Sequence, residues 1–133
     1  MSLVGKKFPN ITVDAISYMG DNLRINVLEE ATKNNKKVLL FWYPKDFTFV
    51  CPTELHAFQT ALGEFEKRNT MVIGASCDTN EVHFAWLNTA KNNGGIEGVT
   101  YPLLADTTRN LSAALDILDA EWVYDAELND EIL

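Results

Sequence analysis

The stretch KVLLFWY, residues 37–43, constrains this chain more than any other. It is a continuous, β-prone apolar run, of the kind expected for a strand buried on both faces. TMVIGASC, residues 70–77, is a second run of the same character. Between them, Leu55, Phe58, Leu62 and Phe65 recur at i, i+3, i+7 and i+10, which is the stripe of one amphipathic helix. Pro52 suits the first position of that helix, where its missing N–H costs nothing. Residues 37–77 therefore predict β-α-β, and the crossover that this demands makes the two strands parallel.

The flanks extend the same pattern. ITVDAISYMGDNLRINV predicts two strands, near 11–17 and 23–27, with a turn at Met19-Gly20-Asp21-Asn22. LEEATKNN fits one or two helical turns. Asp78 followed by Glu81 predicts a capping box, opening a helix through Val82, Trp86 and Ala90. NNGGIEGVT predicts a loop and YPLLAD a short strand. Thr108 predicts the cap of a helix carrying Leu111, Ala114, Leu115 and Leu118. Residues 116–133 hold seven carboxylates and no Lys or Arg, which predicts a solvated acidic loop. No linker or repeat divides the chain. The expectation is a single α/β domain over residues 1–133, with helices covering a mostly parallel sheet.

Charge and cysteine content exclude several classes. Acidic residues outnumber basic ones 19 to 11, giving a net charge of −8. That balance argues against nucleic-acid and anionic-membrane partners, which call for a cationic face. No apolar run reaches the ~20 residues of a membrane span, and the N-terminal residues lack the apolar core of a secretory signal. The two cysteines, Cys51 and Cys77, form no C-x-x-C pair, so a reducing cytoplasm is the expected location.

Cys51 stands between strand 37–43 and the proline that opens the next helix. In open α/β sheets such positions, beyond the carboxyl ends of strands, are where sites form. A helix N-terminus also favours a thiolate. Moving a thiol from ~8.5 to about 6 takes roughly 3.4 kcal/mol, whereas a helix terminus supplies ~0.3–1 kcal/mol, or ~2 when partly buried. A cation or further hydrogen bonds must supply the remainder. Thr48 is a local donor and Lys45 a nearby cation.

FWYPKDFTFVCPTEL, together with the landmarks in GASCDTNEVHFAWLNTAKNNGGIEGVTYPLLAD, resembles the typical 2-Cys branch of the peroxiredoxins, which includes the alkyl hydroperoxide reductase C subunit. Pro44, Thr48 and Cys51 meet its P-x-x-x-T-x-x-C signature. The resemblance implies a thioredoxin-like fold, here incomplete at the C-terminus, and a thiol-dependent peroxidase that reduces hydrogen peroxide and organic hydroperoxides. Cys51 would be the peroxidatic cysteine, cycling through a sulfenic acid and a disulfide. Thr48 would bond the peroxide and thiolate, Pro44 would shield the thiolate, and Glu54 would orient an arginine. Trp86 would lie near the contact that joins dimers into a ring. No metal or organic cofactor is implied. The implied partners are the peroxide, thioredoxin or a flavoprotein disulfide reductase as electron donor, and a second copy in a homodimer, with a ring of dimers as a further step.

The pattern also departs from that branch. Its active-site arginine lies on a strand after the helix near 109–116, and Arg109 is not equated with it. Its resolving cysteine, in a Val-Cys-Pro context, is not seen. Cys77 is a packed small residue or an alternative resolving cysteine; the latter requires Cα atoms within ~7 Å of Cys51. His56 and His83 sit five and six residues after a cysteine, spacings that fit no common zinc site. His83 is expected near the partner-facing side of its helix. GGIEG, 94–98, partly resembles the insertion of peroxide-sensitive members. A second function class stays open: an oligomeric holdase chaperone or a peroxide-sensing interaction protein.

Overall fold

Strand β4, Thr70–Ser76, organises the molecule. The computed structural model describes residues 4–43 and 52–117, and the backbone of residues 123–125 and 130–132. On one side β4 pairs in parallel with β3, Lys37–Trp42, from Lys37 opposite Thr70 to Trp42 opposite Ala75. On the other side it pairs in parallel with β5, Leu103–Ala105. The predicted crossover is thus present. A hairpin of β1, Thr12–Ile16, and β2, Asn22–Asn26, adds to β5 antiparallel, giving the order β2-β1-β5-β4-β3. The sheet is therefore mixed: parallel across β3, β4 and β5, antiparallel across the hairpin.

Strand alternation explains the unbroken apolar runs. On β3, Leu39 and Phe41 join a core with Val72, Leu103 and Trp86, while Val38, Leu40 and Trp42 join a second core with Ile73, Ala75 and Leu104. Each face is covered by helices, so both parities of each strand must be apolar. Leu103 and Leu104 are fully buried on opposite faces, and each such side chain contributes roughly 1.5–3 kcal/mol. One expectation is corrected here. β3 is the terminal strand of the described sheet, so Val38 to Trp42 are half-buried rather than enclosed. Tyr43, just beyond it, is buried.

The helices are α1, Val27–Asn34; α2, Pro52–Thr60; α3, Leu62–Lys67; α4, Asn80–Leu87; and α5, Asn110–Ala114. The single helix expected after Pro52 breaks at Ala61. Thr60 turns its hydroxyl back onto the His56 carbonyl at 3.0 Å, a contact that bends helices, and Gly63 weakens the turn that follows. Leu55, Phe58, Leu62 and Phe65 nevertheless reach the same core. The cap of α4 is Thr79, which accepts from Val82 N, rather than Asp78. Helix α4 ends at Leu87, short of Ala90. α5 is capped by Asp106, whose carboxylate accepts from Leu111 N at 3.2 Å and Ser112 N at 2.8 Å. Thr108 instead accepts only from Asn110 N. Leu118 lies outside the described residues. The acidic stretch predicted as loop contains two short antiparallel strands, β6, Val123–Asp125, and β7, Asp130–Ile132.

Close approach requires glycine at Gly20 and Gly95. Gly20, in the β1–β2 turn, has φ +88°, and a Cβ there would come within 2.8 Å of the Phe84 ring. Gly95 donates to the Ala90 carbonyl at 3.0 Å, and a Cβ there would overlap the Thr89 backbone. Gly95→Ala is expected to cost about 1–3 kcal/mol by overpacking, read as a lower urea midpoint. Gly63→Ala, on a helix with open space around the added methyl, is expected to gain roughly 0.5–1 kcal/mol. A wild-type midpoint for Gly95→Ala would contradict the packing described.

Candidate active site

Because β3, β4 and β5 run in parallel, their carboxyl ends reach one edge of the sheet, and the chain leaves each of them close to a helix start. β3 leads to Tyr43 and, after residues 44–51, to Pro52 at the head of α2. β4 leads through Cys77 and Asp78 to α4, and β5 leads through Asp106 to α5. Cys51, Thr48 and Pro44 lie outside the described residues, as do Lys45 and Phe47. Tyr43 and Pro52 flank that segment.

The upstream flank is Tyr43. Its N–H donates to Ala75 O at 3.0 Å, and its ring packs against Trp86 with centroids 5.6 Å apart. Its hydroxyl lies 3.2 Å from His83 Nδ1, while His83 Nε2 lies 2.9 Å from Leu104 O. A carbonyl can only accept, so Nε2 donates; in the neutral ring Nδ1 then accepts from the Tyr43 hydroxyl. His83 is fully buried. The partner-facing position expected for it is corrected: it belongs to the interior, because both ring nitrogens are satisfied there.

The downstream flank is the first turn of α2. Pro52 is buried and brings no N–H that would want a partner. Leu55 is fully buried, and its carbonyl accepts from the Tyr101 hydroxyl at 2.8 Å. Burial pushes the Tyr101 phenol well above its ordinary range, since the phenolate would lose its hydration. Glu54 is exposed on the same turn, where a carboxylate favours the helix dipole. Among the described residues, no Lys or Arg is within ion-pair distance of it.

Cys77 is half-buried on the exit from β4, with Sγ 3.9 Å from Ser112 Oγ. The Ser112 hydroxyl donates in turn to the buried Asp106 carboxylate through a short contact. Its one proton is thereby used, so the Cys77 thiol is the donor to Ser112. This geometry favours the packed reading of Cys77. Trp86 is fully buried, with Nε1 donating to Gly94 O at 2.9 Å. It shapes the core beneath the 94–96 loop. His56 Nε2 meets Gly95 O at 3.2 Å, and among the described residues no cluster of His, Cys, Asp or Glu is placed to hold a metal. Arg109 donates to Thr107 O from a left-handed backbone, φ 63°, before α5. Sequence reasoning missed Tyr101 and Asp106 as anchors. Their only signal was a polar group at either end of the apolar run YPLLAD.

Parallel strands whose carboxyl ends lead to helix starts define an open α/β fold, in which sites form along that edge. Residues 4–129 match the family model described as AhpC/TSA family, and the chain belongs to that family. Alkyl hydroperoxide reductase C of Helicobacter pylori is 43% identical over 123 residues, covering 91% of this chain and 61% of that protein. The chloroplastic 2-Cys peroxiredoxin BAS1 of Hordeum vulgare is 42% identical over 118 residues, covering 89% and 55%. Among solved structures, the reduced 2-Cys peroxiredoxin of Plasmodium vivax superposes with a TM-score of 0.79 at 36% identity, covering 86% of this chain and 69% of that one. Enterococcus faecalis AhpC gives 0.78 at 32% identity, covering 90% and 67%. The fold is the thioredoxin-like fold of the peroxiredoxins. The chain spans roughly three-fifths of the length of the curated relatives named.

Tyr101 provides a test of these flanks. Its raised pKa means that the native state keeps a proton the unfolded chain loses above ~10. Stability is therefore unaffected by this group below that pH and falls as pH rises beyond it. The difference in 295 nm absorbance between wild type and Tyr101→Phe during a base titration is expected to show the Tyr101 phenolate only as the protein unfolds. Reversible ionisation near pH ~10 in that difference, with the protein still folded, would contradict the burial.

Proposed function

We propose that this protein is a thiol-dependent peroxidase acting through Cys51. The observation that carries the reading is the match of residues 4–129 to the AhpC/TSA family, in a chain whose residues 44–51 join the end of β3 to the buried first residue of α2. The Cys51 thiolate attacks one oxygen of a hydroperoxide. An S–O bond forms, the O–O bond breaks, and the departing oxygen takes a proton to leave as water or an alcohol. The sulfenic acid then condenses with a second thiol, releasing water and forming a disulfide, which an external dithiol reduces.

Thr48 donates to the reacting oxygens, and Pro44 keeps water from the thiolate. The first-turn amides of α2 favour negative charge, but a helix end supplies only ~0.3–2 kcal/mol. Glu54, exposed on that turn, orients an arginine that supplies more. The substrates proposed are hydrogen peroxide and small organic hydroperoxides. The reductant is thioredoxin or a flavoprotein disulfide reductase, and the working unit is a homodimer, which a ring of dimers extends. No described helix is long and apolar enough to cross a membrane. Two cysteines without a disulfide framework suit a reducing cytoplasm.

The test is residue-resolved mass spectrometry after a brief exposure to about one equivalent of hydrogen peroxide. Cys51 is expected to oxidise at least about a hundred-fold faster than Cys77, in keeping with a site that lowers the barrier by oriented donors. Cys51→Ser should abolish peroxide consumption, and Cys77→Ser should leave it intact. Equal, slow oxidation of both thiols would overturn the proposal.

A further inference from the structure

β4 starts at Thr70, but its first pair with β5 is Gly74 opposite Leu103. Among the described residues, Thr70 to Ile73 thus have β3 along one flank and no strand along the other. Two features keep β5 short. The Pro102 carbonyl accepts from Gly74 N at 3.1 Å, but Pro102 has no N–H to continue the ladder toward β4. Thr100 N–H is taken by Gln59 Oε1 at 2.9 Å, which ties the chain to α2 instead. The gap left at the amino ends of the strands is a cleft of about 420 Å³, with Leu62 and Glu66 of α3 on one wall. It lies at the opposite edge of the sheet from the strand exits.

Floor and rim of this cleft differ in chemistry. Leu62, Met71, Val72 and Pro102 supply an apolar floor. The hydroxyls of the lining threonines and of Tyr101 are already bonded, to Arg68 O, Gln59 and Leu55 O. On the rim stand Lys36, Glu66 and the half-exposed Tyr18. Among the described residues, none of these three side chains has a hydrogen-bond or ion-pair partner, so Lys36 and Glu66 do not neutralise each other by contact. The volume suits a small molecule. One cation and one anion on the rim favour neither a simple anion nor a simple cation. A molecule with both charges at one end of an apolar body matches rim and floor together. We propose that the cleft binds a small zwitterion of the class of the free apolar amino acids. Its carboxylate meets Lys36 and the Tyr18 hydroxyl, its ammonium meets Glu66, and its side chain covers the floor. The assignment is independent of the chemistry at Cys51.

The probe is L-phenylalanine, titrated into the intact protein and followed by backbone amide NMR shifts. Saturable shifts are expected at Thr70, Met71 and Thr100, with a Kd of about a millimolar, because so small a ligand in an open cleft gains little per atom. Two analogues each remove one charge: N-acetyl-L-phenylalanine lacks the ammonium and phenethylamine lacks the carboxylate. Each should bind about two- to five-fold more weakly, the worth of one exposed ion pair. Lys36→Glu is expected to weaken phenylalanine by a similar factor and to make phenethylamine the better ligand. Glu66→Lys should do the reverse and favour N-acetyl-L-phenylalanine. Both positions are exposed, so the thermal midpoint should stay at the wild-type value in each variant.

No saturable shift at the cleft with phenylalanine at tens of millimolar would overturn the proposal, as would shifts that fall elsewhere on the protein. Equal affinity for the three probes would overturn the zwitterion assignment. So would charge-reversal variants that bind all three as wild type does. Peroxide consumption plays no part in any of these readouts, so failure of the peroxidase reading would leave this test intact.

Discussion

The parallel pairing of β4 with both neighbours is the constraint on which the rest of the structure depends. Since β3, β4 and β5 point the same way, all three chain exits fall at one edge. Every exit then meets a helix start, and orphan N–H groups gather where the strands end. An antiparallel alignment would send alternate exits to the opposite edge. Gly74 in β4 allows Phe41 of β3 and Leu103 of β5 to close over the strand, since a Cβ there would sit 2.9 Å from Leu103 Cδ2. The edge and the core beneath it are one piece of packing.

Within that packing, four buried polar side chains hold the edge in place. Asp106 gathers the first amides of α5 and the Ser112 hydroxyl. His83 and Tyr43 link β5 to the end of β3, and Tyr101 holds the first turn of α2. A buried polar group without partners costs about 1–3 kcal/mol, so each of these contacts is as much a restriction on alternative packings as a source of stability. They cluster around the exits rather than spreading through the core. The proposed thiol chemistry at Cys51 calls for aimed donors, because a helix terminus alone is too weak to hold a thiolate.

Much of the fold was legible in order. KVLLFWY and TMVIGASC announced parallel strands, and the stripe Leu55, Phe58, Leu62 and Phe65 announced the helix between them, because a strand covered on both faces must be apolar at both parities. Boundaries were less legible. Thr79 rather than Asp78 caps α4, and Asp106 rather than Thr108 caps α5: several Ser, Thr and Asp residues compete locally, and the tertiary position of the turn selects one. The break at Ala61 was also hidden, since the apolar stripe continues across it. β6 and β7 were hidden by the charge of their stretch.

For the site, the sequence by itself determined the family and the residue to test: Cys51 between Thr48 and Pro52, after an apolar strand, points to a thiol at a helix mouth, and its flanking motif points to the family. Tertiary structure alone decided which distant residues meet at the strand ends. His83 was expected near the partner-facing side of its helix, yet it lies against Leu104 and Tyr43, 21 and 40 residues away. Tyr101 is 46 residues from the carbonyl it holds. Local spacing carries the period of a strand or helix. It carries nothing about which side chain another strand will bring alongside, because that is set by register between strands and by the shape of the space left among them.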